Sequence, residues 1–272
     1  MDGAVKAFFS NNRTVFTMGF TALLISSLGD ILAGITLGFM TDTLEMLPGL
    51  MVLIPAAIGM RGNIFGALGS RLGTAMHVGT FELSLRKGSI LRQNIEASLI
   101  MTMVVSFLMG FLAKVISTAI GMESISMQQF IFISVLGGVL AGLVLLVVNV
   151  IVATLGFRRN WDIDNISAPL LTAAGDIVTL PMLFLAGLIV IKGEGVIDAA
   201  FYDVMTLVFL AITIFLIYEA MCKRDEETKR IFVQSSPVLV ICILLDLGAG
   251  LTIEDQLSKL VAYPALLVLI PL

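Results

Sequence analysis

The 272-residue chain has few charged side chains, and this scarcity limits the classes of protein to which it can belong. Charged residues make up 13% of the chain and hydrophobic residues 58%, and the mean hydropathy is +1.05. A soluble protein of this size would lack the polar side chains needed to cover its surface. The composition therefore predicts an integral membrane protein, with the lipid bilayer as its surroundings.

Cysteine, histidine and positive charge are also scarce. Cys222 and Cys242 are too few for a disulfide framework and lack the spacing of a metal site. His77 is the single histidine, and we interpret it as a polar residue at the membrane interface. A net charge of −4 provides no basic field, which argues against a nucleic-acid partner.

Long apolar runs occupy most of the chain. A membrane-spanning helix needs about 20 apolar residues, and the runs are continuous, which excludes the short alternating strands of a β-barrel. We therefore expect an all-α, polytopic transmembrane helix bundle. The predicted spans are Val15–Met40, Leu47–Met76, Ile95–Ile120, Gln129–Phe157, Ala168–Ile191, Tyr202–Met221 and Ile231–Ile253.

Lysine and arginine concentrate at alternate ends of these spans. The intervening loops are acidic or nearly free of positive charge, a pattern that places the basic loops in the cytoplasm. We expect a cytoplasmic N-terminus and location in the cell membrane. The basic residues are Lys6 and Arg13, then Arg86, Lys87 and Arg92, then Arg158 and Arg159, and finally Lys223, Arg224, Lys229 and Arg230.

The sequence contains an internal repeat. Moving the chain by 216 positions lays Leu28–Pro55 over Leu244–Pro271 without a gap. Chance likeness between two apolar helices does not readily align acidic, small and proline residues together. The coincident pairs are Asp30 with Asp246, Gly34 with Gly250, Thr36 with Thr252, Pro48 with Pro264 and Pro55 with Pro271.

Six predicted spans separate the starts of the two copies. Because six is even, both copies enter the membrane from the same side, and a pseudo-two-fold axis along the membrane normal relates them. Such a pair resembles a fused homodimer with its pore near the axis. We divide the chain into a cytoplasmic or interfacial segment (1–14), a five-helix repeat (15–191), a linker helix with a cytoplasmic loop (192–230) and the start of a second repeat (231–272).

The second copy stops in its second span. We expect a truncated half of a longer two-repeat chain; the alternative is a natural single-repeat protein with a vestigial second start. In the latter case a homodimer would supply the second unit.

Acidic residues deep inside the spans are candidates for function because they are costly there. Asp176 lies near the middle of span five, with Thr172 four residues before it and Thr179 three residues after it on one helical face. Carboxylate, hydroxyl and proline-freed carbonyl oxygens suit hard divalent cations, and Mg²⁺ needs only one or two carboxylates. The alternative is that Asp176 pairs with a buried cation such as Lys114 or Arg71.

Other polar residues at depth are weaker candidates. We expect span two to be broken at Pro55 and at the segment GMRGN, and Gly62 and Asn63 of that segment are candidate pore-lining residues. Asn149 in span four either lines the pore or forms an interhelical hydrogen bond. The repeat-related Asp30 and Asp246 are candidates for ion coupling or for pairing with another charge.

Two segments resemble the MgtE superfamily of magnesium channels and transporters. PGLMVLIPAAIGMRGNIFGALGSRLGTAMHVG (48–79) resembles its second-span signature. DIDNISAPLLTAAGDIVTLPMLF (162–184) resembles the fifth-span signature, in particular that of the solute-carrier magnesium transporters and their archaeal relatives. Across the chain, the likeness covers 16–191 and resumes near Val233.

This resemblance implies a five-helix Mg²⁺-conducting unit that works either as a homodimer or as two copies fused through a linking helix. It implies that Asp176 binds Mg²⁺ in the pore, that Asn63 lines the pore and that Thr172 belongs to the same site. It also implies that Mg²⁺ is the transported ion, with other divalent cations as alternatives. A cytoplasmic Mg²⁺-sensing domain is not expected, since about 14 residues precede the first span.

Two other functions were weighed against transport. An intramembrane aspartyl protease needs two adjacent carboxylates, and the chain has Gly-Asp pairs at Asp30 and Asp176, but the usual Tyr-Asp and Gly-x-Gly-Asp motifs are missing. A noncatalytic membrane scaffold is supported only by the incomplete second repeat. The sequence predicts no catalytic residue, and it does not separate a channel from an ion-coupled carrier.

Overall fold

The structure is a computed structural model that describes residues 13–159, 163–222, 225–263 and 266. The predicted interfacial segment before residue 13 lies outside the described residues. So do the repeated prolines Pro264 and Pro271.

Helices account for nearly all of the described chain, and within it seven of them are long and apolar enough to cross a membrane. The expected all-α polytopic bundle is thereby confirmed. Two short helices, α2 and α9, follow the first and the last of these spans. The helices are α1 (Arg13–Phe39), α2 (Thr41–Met46), α3 (Leu50–His77), α4 (Ile90–Ala119), α5 (Met127–Arg159), α6 (Ile163–Gly193), α7 (Ala199–Cys222), α8 (Glu226–Asp255) and α9 (Leu257–Ala262).

Helix α3 is the centre of the bundle. It packs against α4, α5, α6 and α8, and most of its side chains are buried, including all five residues of 50–54. In contrast, α7 packs mainly on α4, α5 and α8 and exposes large apolar side chains such as Leu207 and Ile214. This gradient is what a lipid-facing helix beside a buried core helix should show.

The expected break in span two is wrong. Helix α3 continues from Leu50 to His77 through Pro55 and through the Gly-Asn pair. A proline removes one helical hydrogen bond, and helices packed around it can hold the chain in place at membrane depth. The first turn of α3 is further held by Glu254 of α8, whose carboxylate accepts hydrogen bonds from Gly49 N at 2.8 Å and Met51 N at 3.1 Å.

The repeat-related helices α1 and α8 have different partners. Helix α1 packs along α6, whereas α8 packs along α3 and α4. A Cβ added at Gly29 would lie 2.8 Å from Ala173 Cβ, and one added at Gly250 would lie 2.8 Å from Val52 Cα. Each helix therefore uses a glycine to bring its backbone close to its neighbour.

The loops define two ends of the bundle. The basic end carries the α3–α4, α5–α6 and α7–α8 connections, with Arg86, Lys87 and Arg158 among its residues. The acidic end carries the α1–α3, α4–α5 and α6–α7 connections, with Asp42, Glu123 and Glu194 among their residues.

Candidate functional site

A cavity of about 480 Å³ opens between α1, α3 and α6 at the middle of the bundle. We call it the midspan cavity. It contains every one of the three predicted metal-site residues. Its lining residues are Ser26, Asp30, Ile58, Gly59, Gly62, Asn63, Gly66, Ala67, Thr172 and Asp176.

Asp176 forms the buried wall of the midspan cavity. It lies near the midpoint of α6, and only 4% of its surface is exposed. The Asp30 side chain lies within hydrogen-bonding reach of the Asp176 carboxyl group. The close approach of Gly29 to Ala173 on the same pair of helices produces this juxtaposition, because it removes the side-chain layer that would otherwise separate α1 from α6.

The opposite wall is the small-residue face of α3. Asn63 sits at the midpoint of that helix with an exposed side chain, and Thr172 is exposed across the cavity on α6. A Cβ added at Gly62 would lie 3.9 Å from Thr172 Oγ1, so α3 and α6 are close at this height. Asn63 and Thr172 therefore face the open part of the cavity, while Asp176 lies at its buried part.

Ser26 lines the midspan cavity, although the sequence did not lead us to it. It precedes Asp30 by four residues, as Thr172 precedes Asp176 by four. Both helices thus present a hydroxyl one turn before a carboxylate on the same face. That shared spacing is the signal from which Ser26 could have been found.

The cations that the sequence offered as partners for Asp176 are engaged elsewhere. Lys114 Nζ donates to Ser124 Oγ at 2.9 Å, and Arg71 Nε donates to Asn94 Oδ1 at 2.6 Å. No lysine or arginine is among the described residues that line the midspan cavity. The acidic character of the cavity is therefore not neutralised by a cation in its own wall.

Arg61 is a second residue that the sequence interpretation missed. It precedes Gly62 on α3 and is fully buried, with its Nη2 donating to Ser106 Oγ at 2.9 Å. Its Nε and Nη1 atoms have no hydrogen-bond partner within the described part of the chain. The charge in GMRGN was the available signal, since a buried arginine is rare inside a span.

Three further candidates lie away from the midspan cavity. Asn149 is buried on α5 and its amide donates to Phe65 O at 3.3 Å, which is the interhelical hydrogen bond that the sequence left open. Thr179 is buried on α6. Asp246 lies on α8 beside Gly59, where a Cβ added at Gly59 would be 2.5 Å from Asp246 Oδ2.

The donor atoms of the midspan cavity are carboxylate, amide and hydroxyl oxygens, which suit hard cations. Within the described residues, no group of three or more histidine, cysteine, aspartate or glutamate side chains could form a metal cage. Two carboxylates beside a roomy cavity instead suit a cation that retains much of its water, as Mg²⁺ does.

The profile of the MgtE family, described as a divalent cation transporter, matches residues 54–186. That segment contains Asn63, Thr172 and Asp176. Over this segment the chain is similar to the MgtE family. The description of this family as a transporter is consistent with the expectation of a non-enzyme and favours transport over the aspartyl-protease interpretation of the two adjacent aspartates.

Similar curated proteins belong to solute carrier family 41. The chain is 27% identical over 172 residues to Solute carrier family 41 member 2 of Xenopus laevis, which covers 59% of this chain and 29% of that protein. It is 24% identical over 261 residues to Solute carrier family 41 member 3 of Mus musculus, covering 91% of this chain and 51% of that protein. The chain thus spans about half, or less, of the length of these relatives. No solved structure matches it significantly.

Proposed function

We propose that the chain transports divalent cations, with Mg²⁺ as the preferred ion, through the midspan cavity. The observation that carries this proposal is the meeting of Asp30 and Asp176 beside Asn63 at mid-membrane height, inside the segment that matches the MgtE family. Two carboxylates can neutralise a doubly charged ion, and no basic side chain in the described lining competes for them.

Each side chain has a distinct place in this mechanism. Asp176, held in the buried wall, attracts the ion, and Asp30 adds a second carboxylate from α1. The exposed Asn63 amide and Thr172 hydroxyl accept or donate hydrogen bonds to the water around the ion. A cavity of about 480 Å³ has room for a hydrated ion, which avoids the free-energy cost of stripping Mg²⁺ of its water.

The midspan cavity needs a second unit to become a continuous pathway. Helix α1 packs on α6 and exposes apolar side chains such as Phe20 and Leu28. Around α1, the cavity is therefore closed only on the side that faces α6. By pseudo-two-fold symmetry, the second-repeat counterpart of α3 would pack on α1 as α8 packs on α3. We propose that this counterpart comes from a second repeat in the full-length chain or from a homodimer partner.

The direction of the protein in the membrane follows from its two ends. We propose that the basic end is cytoplasmic, which places the N-terminus in the cytoplasm, because positive loop residues are retained on that side. The lipid surface potential of a cell membrane would favour the same orientation.

The decisive experiment is Mg²⁺ flux into liposomes that contain the assembled protein, comparing wild type with Asp176→Asn. We expect flux to fall by about tenfold or more, because a charged hydrogen-bonding group contributes about 1.5–3 kcal/mol and each 1.4 kcal/mol is tenfold. Selectivity is obtained from the same assay with Ca²⁺, Mn²⁺ and Co²⁺.

The matched control is Asp255→Asn, which removes a carboxylate from the exposed end of α8, outside the midspan cavity. That variant should transport Mg²⁺ at the wild-type rate. If Asp176→Asn also transports at the wild-type rate while folding normally, the midspan assignment is wrong.

A further inference from the structure

Arg61 places a positive charge behind the wall of the midspan cavity. It directly precedes Gly62, which lines the cavity, but its own side chain is fully buried and turns away toward α4 and α5. A Cβ added at Gly175, the residue before Asp176, would lie 3.7 Å from Arg61 Cβ. The stem of the arginine is therefore anchored between α3 and α6, the two helices that carry most of the cavity wall.

Helices α4 and α5 form the seat of the Arg61 guanidinium group. Its Nη2 donates to Ser106 Oγ at 2.9 Å, and a Cβ added at Gly138 would overlap that same nitrogen. Ser134 Oγ donates to Ser106 O at 2.6 Å, which joins α5 to the residue that holds the guanidinium. Gly138 thus leaves a space that a larger residue would fill, and packing fixes the position of the charge.

The positive charge of Arg61 is not compensated within the described part of the chain. No carboxylate there forms an ion pair with it, and its Nε and Nη1 atoms have no hydrogen-bond partner. Burying an ionised group with so few partners costs free energy, and apolar replacements of buried charges often leave a protein equally or more stable. The stability of the fold therefore does not explain an arginine at this position.

The midspan cavity provides an explanation. Asp30 and Asp176 both attract a divalent cation, and an ion that is held too tightly cannot move on. A unit positive charge in the protein interior lowers the affinity of a neighbouring site for a divalent ion by about tenfold or more, because little water screens it. Behind the wall, Arg61 can oppose the ion without blocking its path.

We propose that Arg61 determines the affinity of the midspan cavity. Its charge offsets part of the attraction from Asp30 and Asp176, so that the cation is released rather than retained. This inference rests on the proposed transport function and deepens it.

Mg²⁺ flux into liposomes, measured over a range of Mg²⁺ concentrations, tests the proposal. Arg61→Met fills the space of the stem with an adaptable apolar side chain and removes the charge. We expect the half-saturating Mg²⁺ concentration to fall by about tenfold or more, and the maximal flux to fall as well because the ion leaves more slowly. Arg61→Lys keeps the charge and should stay within about twofold of wild type in both quantities.

Unfolding in mixed detergent micelles distinguishes this role from a purely structural one. Arg61→Met should be at least as stable as wild type, because it removes a buried charge that lacks a partner. A structural role predicts a loss of stability instead. The proposal is overturned if Arg61→Met is less stable or does not fold, or if its half-saturating concentration is unchanged or raised.

Arg71→Met is the matched control on the same helix. Arg71 is partly exposed and donates to Asn94 outside the midspan cavity, so water screens its charge and the half-saturating concentration should not change. An equal shift in Arg71→Met would contradict a role specific to Arg61. Wild-type flux in Asp176→Asn would contradict the midspan assignment, whereas reduced flux there with an unchanged half-saturating concentration in Arg61→Met would contradict this inference alone.

Discussion

Helices α1 and α8 share one sequence pattern and yet occupy different surroundings. Asp30 on α1 and Asp246 on α8 are equivalent in the repeat, but Asp30 lies beside Asp176 in the midspan cavity, whereas Asp246 lies against Gly59 on α3. The difference arises because α1 packs on α6 and α8 packs on α3. Equivalent residues in a repeat therefore acquire different neighbours when their partner helices differ.

The residue one turn earlier strengthens the contrast. Ser26 precedes Asp30 by four residues and lines the midspan cavity, whereas Cys242 occupies the same position before Asp246. A thiol is a poorer ligand for a hard cation than a hydroxyl. The first copy of the repeat is thus the better equipped to hold Mg²⁺, and the comparison can be tested by changing one copy at a time.

The largest expected effect separates the two aspartates. Asp30→Asn should lower Mg²⁺ flux in liposomes by about tenfold, because it removes one of the two charges beside the ion, a loss of about 1.5–3 kcal/mol. Asp246→Asn should change flux by about twofold at most, since Asp246 does not line the midspan cavity. Equal losses in both variants would show that the two positions have the same role.

The second prediction concerns the glycines of α8. Gly250→Ala would place a methyl group against the backbone of Val52, 2.8 Å from its Cα, and should lower the free energy of unfolding by about 1–3 kcal/mol. Gly248→Ala is the matched control two residues away, because no atom lies within 4 Å of its added Cβ. Unfolding in mixed detergent micelles measures both; similar stabilities would contradict the observed packing of α8 on α3.

The smallest effect tests the tie between α8 and the start of α3. Glu254→Gln keeps the shape of the side chain but removes the charge that accepts from Gly49 N and Met51 N, and should cost about 0.5–2 kcal/mol of stability. Helix α1 has Gly38 at the equivalent position and cannot make this contact. Asp255→Asn, at the adjacent exposed residue, should leave the unfolding free energy unchanged when measured in the same way.

The spans could be predicted from the sequence because length and apolarity alone determine them. Asp176 with Thr172, and Asn63 with Gly62, could be named from their own spans, and the family resemblance joined Asn63, Thr172 and Asp176 in one site. The structure brings these four residues to one cavity. Whether they hold Mg²⁺ stays a prediction until flux is measured.

Lateral packing could not be predicted in the same way. Gly29 makes a close contact with Ala173, whereas Gly19 on the same helix has no neighbour within 4 Å, and nothing in the sequence distinguishes them. The contact between Asp30 and Asp176 depends on that packing. The continuity of α3 at Pro55 was missed for a related reason, since the neighbouring helices that hold it are remote in sequence.

The hydrogen bond from Gly49 to Glu254 also bears on how the protein is made. The two residues are 205 positions apart, so at about 5–20 residues per second the ribosome needs about 10–40 s to reach Glu254 after it has made Gly49. During that interval the first turn of α3 lacks its carboxylate, and the exposed amide groups favour a position at the headgroup boundary over the apolar interior. The start of α3 is therefore completed late in synthesis, when the second copy of the repeat begins to emerge.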